Sequence, residues 1–248
     1  MISKTGVLLL VLVGTVCVPA KAVTITNGAT TVFSDGFESY AVGGDPGSPW
    51  LGGPVVPGAT VSGLVDNSTS PGAFEGLHYL RLDRQSATPG NSVTFTNQAS
   101  GSVKLSLMAQ TGPGGDNSFI ALNDGGSLVV EVAFSGHETW MGPAGLYYYT
   151  PATGFVNSGL AWTDDVWKKL DIEYAPGAST ATITVDGVSS SSAAVATSSL
   201  NRLDLGTFGG FGTELIIDAV GAAVPERGSI VLTVLGAAIA LTRSRLRK

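Results

Sequence analysis

Apolar and polar residues alternate with a period of two through the middle of the chain. They do so in Asn91-Ser92-Val93-Thr94-Phe95-Thr96, Val103-Lys104-Leu105-Ser106-Leu107, Ser127 to Ala133 and Trp167 to Tyr174. This is the pattern of a strand with one buried face. Thr180 to Val185 continues it and runs into Asp186-Gly187 before Val188, a two-residue hairpin signal, since the turn that fits twisted strands needs positive φ at both positions. Leu203 to Phe208 and Glu214 to Val220 predict the last strands, and Ser189 to Ser199 reads as a solvated Ser/Ala/Thr-rich loop. No amphipathic helical run of useful length interrupts them. Short strands joined by Gly- and Pro-rich turns predict an all-β, antiparallel jelly-roll β-sandwich over 23–222.

The two ends break the pattern with continuous apolar runs. Lys4 precedes Gly6 to Val18, and Pro19-Ala20-Lys21-Ala22 follows. A basic start, a short apolar core and a small-x-small ending at Ala20 and Ala22 predict a signal peptide over 1–22, cleaved after Ala22. At the other end Val224-Pro225-Glu226-Arg227 leads into the apolar Gly228 to Thr242 and the basic Arg243 to Lys248. The basic end favours the cytoplasmic side, which predicts a transmembrane helix within 223–248 with the domain outside the cytoplasm.

Charge and cysteine content narrow the classes. Setting the ends aside leaves six basic against eighteen acidic residues, a net charge near −12, which argues against nucleic acid as a partner. Cys17 is the single cysteine, so no disulfide framework exists.

The tail resembles the PEP-CTERM sorting signal: a Val-Pro-Glu-Pro-like motif, a short hydrophobic helix and an Arg-rich end. Val224, Pro225 and Glu226 match the motif, and Arg227 stands where its second proline usually sits. The resemblance implies an exosortase-type processing enzyme as partner, in Gram-negative bacteria that make exopolysaccharide. The protein would then be membrane-anchored through its C-terminal helix or released to the cell surface or extracellular matrix.

Five segments in order resemble a laminin-G-like, concanavalin-A-like jelly roll. They are Phe33 to Tyr40 with Trp50 after it, His78 to Asp83, Trp167 to Tyr174, Thr182 to Gly187, and Ile216 to Val220. The resemblance implies a structural Ca²⁺ pinning the N-terminal loop to the last strand, with Asp35 and Glu38 in that loop and Asp218 on that strand. Such folds include both lectin-type modules and glycosidases. The glycosidases carry a Glu-x-Asp-x-x-Glu run, of which Asp171-Ile172-Glu173 keeps only a fragment, two carboxylates expected to be solvated on the outer sheet. His78 and His137 stand apart from any ligand cluster, and Gly209 to Gly212 lacks the lysine of a phosphate loop. No catalytic set is expected.

Carbohydrate binding needs aromatic faces and polar groups beside them. Trp140, Tyr147, Tyr149 and Trp162 lie in a turn-rich stretch and are the candidates, with Tyr147 and Tyr149 on one face and Tyr148 opposite. The reading is an exported, cell-surface or exopolysaccharide-matrix, non-catalytic protein that binds carbohydrate. A purely structural or adhesive surface protein and a glycoside hydrolase are the alternatives.

Overall fold

The computed structural model describes residues 23–42, 46, 48–52, 64–66, 73–74, 78–83, 90–112, 118–135, 141–207 and 214–218. The expected leader with Ala20 and Ala22, the tail with Val224, Pro225 and Glu226, and Trp140 lie outside these residues. Among the described residues no helix is long and apolar enough to cross a membrane.

The regular secondary structure of the described residues is β-strand alone. In chain order they are β1 (Val23–Asn27), β2 (Thr30–Asp35), β3 (Trp50–Gly52), β4 (Leu64–Asp66), β5 (Tyr79–Asp83), β6 (Gly90–Gln98), β7 (Val103–Thr111) and β8 (Ser118–Asp124). There follow β9 (Ser127–Ser135), β10 (Gly145–Thr150), β11 (Gly154–Asn157), β12 (Lys168–Tyr174), β13 (Thr180–Val185), β14 (Val188–Ala193), β15 (Leu200–Thr207) and β16 (Glu214–Asp218).

They make two antiparallel sheets. A nine-stranded sheet runs β14-β13-β12-β7-β16-β5-β4, with β1 on β7 and β2 on β1; a seven-stranded sheet runs β11-β10-β9-β8-β15-β6-β3. The chain passes repeatedly from one sheet to the other, so neighbours such as β7 and β16, or β8 and β15, are far apart in sequence. β1 and β16 lie end to end along one side of β7: Thr24 faces Ser106, and Asp218 faces Met108.

Alternation explains which face each strand buries. Leu170, Ile172 and Tyr174 of β12 and Val103, Leu105 and Leu107 of β7 point inward; Val130, Val132 and Phe134 of β9 and Leu203 and Leu205 of β15 meet them in one core. Full burial of each large aliphatic side chain contributes about 1.5–3 kcal/mol. Asp186 (φ 49°) and Gly187 (φ 86°) form the expected hairpin turn and set Val185 opposite Val188. That turn sends the chain straight back along β13. Ser189 to Ala193 therefore forms β14 rather than the start of a loop, Ser189 lying opposite Thr184 and Ser191 opposite Thr182. The stretch read as turn-rich likewise contains a hairpin, with Tyr148 of β10 opposite Val156 of β11.

Candidate functional site

The N-terminal loop is held by the hydrogen bonds that its carboxylates accept. The backbone N–H of Phe37 donates to Asp35 Oδ1 (2.9 Å), while the Tyr40 hydroxyl (2.6 Å) and Trp50 Nε1–H (2.7 Å) both donate to Asp35 Oδ2. Trp50 begins β3 of the seven-stranded sheet and packs on Phe33 and Phe37, so this carboxylate ties the edges of the two sheets together. Burial first, then the Asp35 carboxylate, raises the Tyr40 hydroxyl pKa well above its ordinary value. Asp218 is fully buried and its Oδ2 accepts the Phe74 N–H (2.5 Å); Glu38 Oε1 accepts the His78 N–H (2.9 Å). Asp35, Glu38 and Asp218, from which a calcium site is expected, are thus all engaged with protein donors. Each carboxylate already accepts hydrogen bonds, and no three His, Cys, Asp or Glu gather into a metal site among the described residues.

Two of the four expected sugar platforms, Trp162 and Tyr147, are buried. Trp162 is 3% exposed, packs on Phe134 with centroids 4.5 Å apart, and donates its Nε1–H to Thr111 Oγ1 (2.8 Å). Tyr147 is buried too, its hydroxyl donating to the Pro143 carbonyl (2.7 Å). Both rings are taken up by packing, the ordinary fate of a large aromatic in a sandwich. Tyr149 differs. It is half-buried on the outward face of β10, its ring 4.7 Å from that of Phe155 at an interplanar angle of 38°.

Tyr149 opens a row across the outer face of the seven-stranded sheet. The register pairs Phe155 with Tyr149, Tyr149 with Glu131, Glu131 with Ala121, Ala121 with Asp204, and Asp204 with Ser92. Directly paired residues project to the same face of a sheet. Their flanking neighbours Val130, Val132, Leu203 and Leu205 fill the core, so this row faces away from it.

Glu131 is the unusual member. It is 7% exposed, its Oε1 has no hydrogen-bond partner, and burial raises its carboxyl pKa from 4.5 to about 7. Two strands away Asp204 is fully engaged: Arg202 Nε donates to Oδ1 (2.6 Å) and Asn123 Nδ2 to Oδ2 (2.8 Å). Ala121 between them leaves no side-chain bulk. The arrangement can accept and donate hydrogen bonds at Glu131 beside a pair of aromatic rings.

Asp171 and Glu173 lie on the outer face of the other sheet and are not free there. Asp171 is 8% exposed and holds Lys104 Nζ at 3.0 Å and Lys169 Nζ at 3.3 Å, while Glu173 accepts the Ser102 hydroxyl (2.5 Å). The sequence does carry a signal for Glu131, as a lone charge inside Val129-Val130-Glu131-Val132-Ala133-Phe134. Alanines on the outer face blur the alternation that would have set it apart.

No protein-family model matches the chain, and no curated protein matches it. Solved structures resemble it at low identity. A sialidase aligns at 11% identity over 64% of this chain with a TM-score of 0.47, and the match spans only 16% of the sialidase. The β-glucanase of Bacillus licheniformis aligns at 13% identity over 82% of this chain and 96% of its own, with a TM-score of 0.45. The exoplasmic/lumenal domain of VIP36 aligns at 11% identity over 70% of this chain and 85% of its own, with a TM-score of 0.40. All three scores lie below 0.5, too low for the likeness to assign a function, and the site rests on the chain's own residues.

Proposed function

We propose that the protein is an exported, non-catalytic polysaccharide-binding protein of the cell surface or exopolysaccharide matrix, with the outer face of the seven-stranded sheet as its binding surface. The observation that carries this is the half-buried Tyr149–Phe155 pair beside Glu131, whose Oε1 is unpartnered. Sugar rings stack their C–H faces on such rings and hydrogen-bond their hydroxyls to neighbouring carboxyls. A non-catalytic role agrees with the state of the other carboxylates, since Asp171, Glu173 and Asp204 already hold cations or hydrogen-bond donors. The address rests on the sequence of the two ends: export through the Ala20/Ala22 leader, and sorting by an exosortase-type enzyme through Val224, Pro225 and Glu226 with a membrane-spanning tail. The concanavalin-A-like assignment belongs to the same reading.

The test is affinity electrophoresis through gels containing polysaccharide. The wild-type chain should be retarded, and Tyr149→Ala should lose about tenfold in affinity with its melting temperature little changed. Equal retardation of wild type and variant would move binding elsewhere. Retardation of neither by any polysaccharide would leave a structural or adhesive protein.

A further inference from the structure

Resting on that reading, we infer that the ligand of this face is an uncharged, hydroxyl-rich polysaccharide and that acidic polysaccharides are rejected there. The groups that face the row decide this by their charge. β9 contributes Glu131, β10 Tyr149, β8 Ala121 and Asn123, β6 Ser92 and Thr94, and β15 Asp204 and Arg202. Arg202 is the one cation in this set, and its charge is paired with Asp204 through Nε (2.6 Å). A uronate or sulfate on the row would find, among these residues, no cation whose charge is not already paired with a carboxylate. It would instead meet the Asp204 carboxylate, and a like charge nearby disfavours ionisation of both partners.

A sugar hydroxyl meets no such obstacle. A hydroxyl that reaches the covered Oε1 of Glu131 donates to it at no charge cost, and while the carboxyl keeps its proton it accepts in return. Burial raises that carboxyl's pKa to about 7, so the proton is mostly in place at pH 6. Recognition of acidic polysaccharides depends on arginine or lysine that is free to pair, because a carboxylate or sulfate stripped of water needs a compensating cation. The outer face of the other sheet does carry Lys104 and Lys169, but Asp171 occupies both.

The experiment sets dextran and a neutral mixed-linkage glucan against alginate and pectate, in affinity gels run with the full-length chain in mild detergent at pH 6. At least one neutral glucan should retard the wild type about tenfold more strongly than either acidic polymer, and Tyr149→Ala should abolish the difference. Stronger retardation by alginate or pectate, lost in Tyr149→Ala, would overturn the inference while leaving the polysaccharide-binding face in place. Failure of all four polymers to retard the protein would overturn both.

Discussion

Asp171 and Glu131, one on each outer face of the sandwich, are both buried carboxylates, and their surroundings treat them in opposite ways. Asp171 and Glu131 are almost equally covered, at 8% and 7% exposure. At Asp171 burial pushes the pKa up, but Ser106, Lys104 and Lys169 more than offset it, and the net shift is downward. At Glu131 burial acts alone and the carboxyl moves up to about 7. Depth therefore does not decide whether a buried acid is structural; the groups that answer it do. Both keep one oxygen without a hydrogen-bond partner, but Asp171 has two lysines on its Oδ2 to balance its charge. Glu131 has no such cation, so an ionised Glu131 lowers stability and persists where a ligand can complete it.

The largest test of this contrast is Glu131→Gln. The folded-state pKa of Glu131 lies above its unfolded value, so ionisation costs the folded form. The cost is absent below about pH 4.5, grows as pH rises and is complete above about 7, where it amounts to about 3 kcal/mol. Urea unfolding at pH 4 and pH 8.5 should show the variant gaining on wild type only at the higher pH. Equal gains at both would mean that the carboxyl is not titrating in this way.

Asp171→Asn should act with the opposite sign and more weakly. Its pKa is lowered by folding, so its contribution is present above the unfolded value of about 3.8 and is lost as pH falls through the folded one. Both lysines reach solvent, so the variant should lose about 1–2 kcal/mol at pH 7, with the difference shrinking in acid. The same unfolding experiment reads both carboxylates and places greatest stability at mildly acidic pH.

The smallest effect concerns Asp35 and Asp218, whose carboxylates already accept protein donors. Millimolar Ca²⁺ should change the melting temperature by less than about 1 °C, whereas a cation bound to the folded state alone would raise it with concentration. A concentration-dependent rise would place these acids with Glu131 rather than with Asp171.

The sequence made the architecture legible and most of the site illegible, for a physical reason. Strand periodicity is set by one face meeting the core, so β7, β9, β12 and β13 stood out and Asp186-Gly187 marked its turn. What a side chain meets on the outer face depends on register between strands distant in sequence. Glu131 lies opposite Tyr149 on one side, eighteen positions on, and shares its row with Asp204 two strands away. Nothing local to Val130-Glu131-Val132 announces either neighbour. The aromatics misled for a related reason: Trp162 and Tyr147 look like Tyr149 in a list of residues, and only packing separates them.

The end-to-end placement of β1 and β16 along β7 gives the molecule a front and a back. Val23 begins and Asp218 finishes near the middle of the nine-stranded sheet, so both chain ends enter the folded body at one place. The Tyr149–Glu131–Asp204 row lies on the far surface of the opposite sheet. An added segment at Val23 would emerge beside Asp218 and leave the front clear, which makes that end the place for a reporter or an affinity handle.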